Sequence, residues 1–217
     1  MNRENKMDPY LETISTFDRQ ASAYQQKYMN VAHYADGLNY LLTGLGKDAA
    51  VLEIGCGPGN VTMYLLDKRT DLRVTAVDAA AGMLSLAREN VPTADFLLMD
   101  AREIGQINNK FDAIICAFLL LYLADEDLER LLSDCYYKLK PDGHFYISTM
   151  EDEYSKSGYR YSSDGKDRCY MYFYTADDLQ KKLSNSGFNV RFLKRQPFPP
   201  NAMATATDLI IIAAKNE

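Results

Sequence analysis

Three glycines lie within five residues, directly after the apolar segment AVLEI: Gly55, Gly57 and Gly59. Glycine lacks a β-carbon, so its backbone adopts positive φ values and can approach a ligand closely. A helix that starts just after such a loop points its N-terminus at the same space. The spacing therefore predicts a ligand-binding loop at the end of a strand, with a plain glycine-rich turn as the alternative.

Two aspartates end the next two predicted strands. Asp78 is placed where a carboxylate can accept hydrogen bonds from both hydroxyls of a ribose. It can also cap the helix that follows, and the two roles are compatible. Asp100, followed by Ala101, is placed to meet an adenine edge, and its alternative role is to cap the turn around Arg102 and Glu103.

The spacing of the glycines restricts the class of ligand. Dinucleotide-binding loops follow GxGxxG, whereas this chain has GxGxG and then Asn60. We expect Glu53, two residues before the first glycine, to lie at the mouth of the pocket. A carboxylate there repels a pyrophosphate and suits a ligand that carries an ammonium group. The chain also lacks the GxxxxGK[ST] motif of phosphate-binding P-loops.

Strand and helix signals alternate from residue 50 onward, which predicts an α/β fold with a doubly wound, Rossmann-like sheet. The predicted strands AVLEIGC, RVTAVDA, ADFLLMDA, FDAIICAF and HFYISTM are separated by helical segments or a turn. EDLERLLSDCYYKLK is expected to end at the turn KPDG. The segments NVRFLKR and DLIIIAA have no helix between them, so they are expected to pair antiparallel. The prediction is seven strands: five parallel, then a C-terminal hairpin.

We interpret the chain as a single domain with four parts. Residues 1–48 form a helical lid, in which ISTFDRQASAYQQKYMNVAHYADGLNYLLTGL indicates one or two helices. Residues 49–150 form the ligand-binding core. Residues 151–174 form a tyrosine-rich insertion, read as a hairpin with Tyr170, Tyr172 and Tyr174 on one face. Residues 175–217 supply a helix, capped by Thr175 and stopped at Gly187, and the closing hairpin.

The successive motifs EIGCGPGN, Asp78 with AAAGML, Asp100-Ala101, FDAIICAF and LKPDGHFYIS resemble, in order and spacing, those of class I S-adenosylmethionine-dependent methyltransferases. The resemblance covers roughly residues 15 to 215 and is closest to the small-molecule type-11/type-25 domain group. It implies S-adenosylmethionine as the cofactor. The sequence departs from many relatives at Tyr122, where they carry a histidine.

The resemblance also implies roles for individual residues. Asp78 would hold the ribose, and Asp100 the adenine amino group. Glu53 would lie near the amino group of the methionyl part. The complete implied cofactor set is Tyr24, Glu53, Gly55, Cys56, Gly57, Asn60, Asp78, Ala79, Met83, Asp100, Ala101, Cys116, Ala117 and Phe118.

Candidate residues for the methyl acceptor are fewer, and no catalytic residue is assigned, because positioning alone can supply much of the rate of a direct displacement. The candidates are Tyr28, His33, Tyr122, Tyr170 and Tyr172. For Tyr122 and His33 the alternatives are core packing and an ordinary surface position. For the tyrosine-rich insertion they are an aromatic cover over the acceptor, a packing arm and a dimer contact.

Composition excludes several other classes. The 217 residues carry a net charge of −6 without a Lys/Arg cluster, so we expect no nucleic-acid partner. No signal peptide and no membrane-spanning run is expected. The four cysteines form no CxxC and only two histidines accompany them, so neither a metal site nor a disulfide framework is expected, and the compartment is expected to be the cytoplasm.

The expected function is transfer of a methyl group from S-adenosylmethionine to an oxygen, nitrogen or carbon atom of a small-molecule acceptor. The sequence identifies neither the acceptor nor the oligomeric state. Two alternatives stay open: a nicotinamide-dependent oxidoreductase, and a protein that binds S-adenosylmethionine without catalysis.

Overall fold

The computed structural model describes residues 8–162, 165–197 and 207–215. Its main element is a seven-stranded sheet with the order β3-β2-β1-β4-β5-β9-β8. The five strands from β3 to β5 are parallel, and β9 runs antiparallel to both β5 and β8. The strands of this sheet are β1 (Ala50–Ile54), β2 (Arg73–Asp78), β3 (Asp95–Leu98), β4 (Phe111–Ala117), β5 (Leu139–Glu151), β8 (Phe188–Pro197) and β9 (Thr207–Lys215). The predicted fold class is thus confirmed.

Helices cover both faces of the sheet, and a second, two-stranded sheet is formed by β6 (Gly158–Tyr161) and β7 (Arg168–Met171). The helices are α1 (Pro9–Arg19), α2 (Ala21–Tyr28), α3 (Ala35–Thr43), α4 (Asn60–Lys68), α5 (Ala81–Asn90), α6 (Asp125–Lys138) and α7 (Ala176–Asn185). Short 3-10 turns occur at Ala32–Tyr34, Ala101–Gln106, Leu120–Tyr122 and Tyr154–Lys156.

The two faces of the sheet bury separate cores. Leu52 and Ile54 of β1 pack with α6 and α7 on one face, and Val51 packs with α3 and α4 on the other. Strands that are buried on both faces read as continuous apolar runs, which is why AVLEI and FDAIICA lack alternation. This arrangement brings the ends of β1, β2, β3 and β4 to one edge of the sheet.

The N-terminal region has more helix than the sequence predicted. Three α-helices and a 3-10 turn replace the predicted one or two helices, and the first begins at Pro9. Asp8 is the N-cap of α1: its carboxylate accepts a hydrogen bond from the backbone N–H of Tyr10. Asp followed by Pro is a recognised helix start, so the Asp8-Pro9 pair indicates this helix although the segment is polar in composition.

The predicted boundary between α6 and β5 was also wrong. The helix ends at Lys138, and β5 begins at Leu139, whose backbone pairs with Phe111 of β4. The turn at KPDG lies within this strand as an irregularity, with Asp142 at φ +58°. Pairing with β4 on both sides of the turn therefore extends the strand past the sequence signal.

The tyrosine-rich insertion folds as the predicted antiparallel hairpin, and residues 163 and 164 of its turn lie outside the described residues. Helix α1 is bound to it by polar contacts. The Thr16 hydroxyl donates to the Arg168 carbonyl at 2.8 Å, the backbone N–H of Tyr170 donates to Thr13 Oγ1 at 3.1 Å, and Arg168 pairs with Glu12. The N-terminal helix and the hairpin therefore form one cover over the sheet.

Thr175 caps α7 in a reciprocal capping box with Asp178. We expect Thr175→Ala to lower the free energy of unfolding by about 1 kcal/mol, because the first turn loses an acceptor for its backbone N–H groups. Urea denaturation measures the change. Ser184→Ala, at an exposed position of the same helix, is the matched control and should change stability by less than about 0.5 kcal/mol. Equal effects of the two substitutions would contradict the capping role.

Within the described ranges, the structure has no helix whose length and hydropathy suit a membrane crossing.

Candidate functional site

A cleft opens at the carboxyl edge of the parallel strands, beneath α1 and α2. Ten of the predicted site residues line it: Tyr24, Gly55, Gly57, Asp78, Ala79, Met83, Ala101, Ala117, Phe118 and Tyr122. They come from five separate segments of the chain, which the parallel sheet brings together.

The glycine loop is held by β2. The backbone N–H groups of Gly55 and Cys56 both donate to the Val77 carbonyl, at 2.8 and 3.0 Å. Gly55 and Gly57 have φ values of +73° and +53°. A β-carbon at Gly55 would lie 3.0 Å from Leu119 Cδ1, so the position needs glycine for both conformation and space.

Asp78 is the central polar group of the cleft. Its Oδ2 accepts from the backbone N–H of Gly57, and its Oδ1 accepts from that of Ala80, both at 2.8 Å. Burial raises the pKa of this carboxyl, and the two backbone hydrogen bonds oppose the rise. Asp78 therefore fixes the glycine loop to the start of α5, while its carboxylate still faces the cleft.

Aromatic rings of α1 and α2 form the wall of the cleft on the side of the N-terminal helices. Phe17 of α1 contacts both Tyr24 and Tyr122 edge-on, with ring centroids 5.8 and 4.9 Å apart. Tyr24 also packs against Tyr28 at 4.7 Å. Burial raises the pKa of Tyr122 well above its ordinary value, so this phenol stays protonated. The wall is apolar in character and suits exclusion of water.

The prediction that Glu53 lies at the mouth of the cleft was wrong. It is 1% exposed, beneath the glycine loop, and its carboxylate accepts a short hydrogen bond from the Thr62 hydroxyl of α4. Burial raises its pKa to about 8, and the Asp78 charge adds to the rise. The prediction failed because Glu53 lies on the same face of β1 as Val51, and α4 covers that face.

Asp100 performs the capping role that was the alternative interpretation. Its carboxylate accepts from the backbone N–H of Arg102 and from the Arg102 guanidinium, each at 2.8 Å. Tyr10 lies close to Asp100, and burial and the Asp100 charge raise the pKa of the Tyr10 phenol. Its neighbours Met99 and Ala101 line the cleft, and Asp100 stands behind that lining.

The remaining predicted residues lie outside the lining, within the described part of the chain. Cys56 and Cys116 are buried in the core. Asn60 donates from its side chain to the Tyr28 carbonyl at 2.9 Å, which ties α4 to α2. His33 is exposed, and its Nε2 lies 2.9 Å from the Pro197 carbonyl. Tyr170 and Tyr172 pack against each other in the hairpin, 4.7 Å apart. Their predicted roles stay predictions.

Sequence reasoning missed seven residues that line the cleft: Tyr10, Thr13, Ile14, Phe17, Ala80, Met99 and Leu119. Four of them lie on α1. Their spacing of three to four residues is that of one helix face, so helical periodicity upstream of Phe17 is the signal that could have found them.

Comparison with known proteins finds that this chain is similar to methyltransferases. Residues 51–143 match the family model described as "Methyltransferase domain". The chain is 33% identical over 136 residues to the malonyl-[acyl-carrier protein] O-methyltransferase of Salmonella typhimurium, covering 63% of this chain and 52% of that protein. It is 27% identical over 164 residues to the demethylmenaquinone methyltransferase of Thermotoga maritima, covering 65% of this chain and 71% of that one.

A solved structure shares the whole fold. It is the 1,6-didemethyltoxoflavin-N1-methyltransferase of Burkholderia thailandensis, with bound 1,6-didemethyltoxoflavin and S-adenosylhomocysteine. The TM-score is 0.74 at 22% identity, and the match covers 100% of this chain and 94% of that structure. The chain spans about half the length of the first curated relatives that it matches.

Proposed function

We propose that this chain is a class I S-adenosylmethionine-dependent methyltransferase that transfers a methyl group to a small-molecule acceptor; the match of residues 51–143 to a methyltransferase domain and the similarity to methyltransferases support this proposal. The supporting observation is the Asp78 carboxylate, which faces the cleft at the end of β2 while it fixes the glycine loop. A carboxylate at this position suits the two hydroxyls of a ribose.

The residues present fit the cofactor. We assign the ribose to Asp78, the adenine to Ala79, Met83 and the main chain at Ala101, and the methionyl part to the main chain of Gly55 and Gly57. The glycines lack the β-carbons that would fill this space. When bound, the cofactor supplies a methyl group on a positively charged sulfur. The protein holds the acceptor in line with that methyl group and excludes water with the rings of Phe17, Tyr24 and Tyr122.

We propose a small molecule as the acceptor and a cytoplasmic location, in line with the four free cysteines of the chain. The named relatives act on different acceptors, so the comparisons suggest the class alone. The hydroxyls of Tyr24 and Tyr122 stay protonated, because burial raises the pKa of each. We therefore propose that both serve as lining and that neither acts as a base.

Isothermal calorimetry with S-adenosylmethionine, S-adenosylhomocysteine and NADH tests this function. We expect micromolar binding of the first two and no heat with NADH, since the loop lacks the third glycine of the dinucleotide motif. Binding of NADH alone would favour an oxidoreductase. Transfer of isotopically labelled methyl groups to a small-molecule extract then separates an enzyme from a protein that binds the cofactor without catalysis.

A further inference from the structure

One buried carboxylate oxygen lies outside the cofactor cleft without a partner. Asp208, near the start of β9, is 0% exposed. Its Oδ2 accepts a 2.8 Å hydrogen bond from the Tyr34 hydroxyl, but its Oδ1 has no hydrogen-bond partner among the described residues. Buried carboxylate oxygens are normally satisfied, because leaving one unsatisfied is costly. An unsatisfied group of this kind points to a ligand atom.

The position of Asp208 fits the acceptor side of the cleft. Asp208 of β9 pairs with Met150 of β5. Two residues before Met150, Ser148 pairs with Ile210 of β9 on one side and with Ala117 of β4 on the other. Cross-strand partners share a face, so Ala117, Ser148 and Asp208 follow the same face of the sheet toward its carboxyl edge. Strands are about 4.8 Å apart, so Asp208 on β9 lies about 10 Å from β4, within the length of a small acceptor.

Two aromatic rings connect Asp208 to the cleft. Tyr34, whose hydroxyl bonds to Asp208, packs edge-on against Phe118 with ring centroids 5.0 Å apart. Phe118 lines the cleft and has a φ of +55°, an uncommon value for a residue with a bulky side chain. Strain of this kind concentrates at ligand sites. Tyr34 belongs to the short 3-10 turn Ala32–Tyr34, and its side chain contacts both Asp208 and Phe118.

The charges near this carboxylate restrict which groups can bind to Oδ1. Within residues 8–162, 165–197 and 207–215, Asp208 forms no ion pair. Lys194 and Arg195 on the neighbouring strand are paired with Asp36 and Glu151. The groups that face Asp208 are His33 and Tyr34 of the 3-10 turn, Tyr146 of β5 and Gln196 of β8. A carboxylate placed at Oδ1 is repelled by the like charge of Asp208, whereas an N–H or O–H donor satisfies Oδ1.

We propose that the methyl acceptor displaces the Tyr34 ring and binds Asp208 directly, and that Asp208 selects acceptors whose N–H or O–H is conjugated with the methylated atom over carboxylate anions. The inference rests on the proposed function and specifies its substrate class. The acceptor's lone pair forms the bond to the methyl carbon, and the carbon–sulfur pair leaves with the sulfur. The proton on the conjugated N–H or O–H at the far end of the acceptor passes to Oδ1 of Asp208, which leaves the methylated product neutral. Burial raises the pKa of this carboxyl to about 6, which suits a base at neutral pH.

The test uses the whole chain, labelled S-adenosylmethionine and a defined acceptor panel. One arm holds hydroxypyridines and aminopyrimidines, and the other holds benzoate and malonate half-esters. We expect methyl transfer to at least one member of the first arm and none to the second. Asp208→Asn should reduce that transfer about 100-fold or more, because the amide cannot take the proton. It should change the Kd of S-adenosylmethionine less than twofold and leave the melting temperature equal or higher, since a buried charge is removed.

Asp112→Asn is the matched control, because this carboxylate lies at the opposite edge of the sheet, bonded to Lys140 and the Ala50 backbone. It should leave transfer and cofactor affinity unchanged. Transfer to carboxylates only, no transfer to any panel member, or unchanged transfer by Asp208→Asn overturns the assignment of Asp208. A parallel fall in melting temperature and cofactor affinity also overturns it, as it indicates a structural role. Absence of cofactor binding by the wild type instead refutes the proposed function itself.

Discussion

Replacing Asp78 by asparagine should raise the Kd of S-adenosylmethionine by about 100-fold or more. Two losses combine. The ribose loses charge-assisted hydrogen bonds, which are worth about 1.5–3 kcal/mol. The glycine loop also loses an anchor: the carboxylate accepts from the backbone N–H groups of both Gly57 and Ala80, and an amide offers one oxygen where two N–H groups need an acceptor.

Calorimetry on the folded variant measures this effect. The matched control is Asp95→Asn, because Asp95 is an exposed aspartate at the start of β3, the end of the strand remote from the cleft. Circular dichroism establishes that both variants fold. Asp78→Asn should also melt at a lower temperature, as one buried backbone N–H is left without its acceptor. An Asp78→Asn protein that folds and binds the cofactor with wild-type affinity would remove the ribose assignment.

The order of elements and the location of the cleft were predictable from sequence because they depend on local signals. Glycine spacing, the apolar runs and the aspartates at strand ends each reflect the conformation of a few adjacent residues. Asp78 is the clearest case: a strand end next to a helix start already places its carboxylate at the carboxyl edge of the sheet. Parallel pairing then brings it to Gly57 without further information.

The burial of the acidic residues and the identity of their partners were not predictable, because both depend on contacts between residues that are distant in sequence. Glu53 is buried because the Thr62 side of α4 covers its face of β1. Asp100 is engaged because Tyr10 and Arg102 converge on it from two segments. Asp208 reads as the polar start of an apolar strand, and only its register with β5 shows that its side chain shares a face with Ser148. In each case an acid that seemed free in the sequence meets a partner or a covering element through tertiary packing.

Replacing Glu53 by glutamine should stabilise the protein at alkaline pH. The folded-state pKa is raised to about 8, above the unfolded value of 4.5, because burial disfavours the charged carboxylate. Between these two pH values the folded chain holds a proton that the unfolded chain has lost. The wild type therefore loses stability as pH rises through this window, by up to about 1.4 kcal/mol per pH unit. Glutamine is neutral throughout and avoids this loss.

The measurement is the difference in unfolding free energy between Glu53→Gln and wild type, from urea denaturation at pH 4, 6, 7.5 and 9. Subtracting the two curves cancels groups that titrate in both proteins. We expect a difference near zero at pH 4 and a gain of about 2–4 kcal/mol for the variant at pH 9. Asp95→Asn, with an exposed carboxylate, should give a flat difference.

The same variant separates stability from function. We propose that the ionised Glu53 carboxylate acts on the cofactor's ammonium group through the glycine loop, so at pH 9 Glu53→Gln should bind S-adenosylmethionine more weakly than wild type, by about 3- to 10-fold. Opposite changes in the two properties are expected where a buried charge is kept for a ligand. A Glu53→Gln protein that is less stable than wild type at pH 9 would mean that its carboxylate is a structural partner of Thr62. Higher stability with unchanged affinity would exclude an electrostatic role toward the ammonium group.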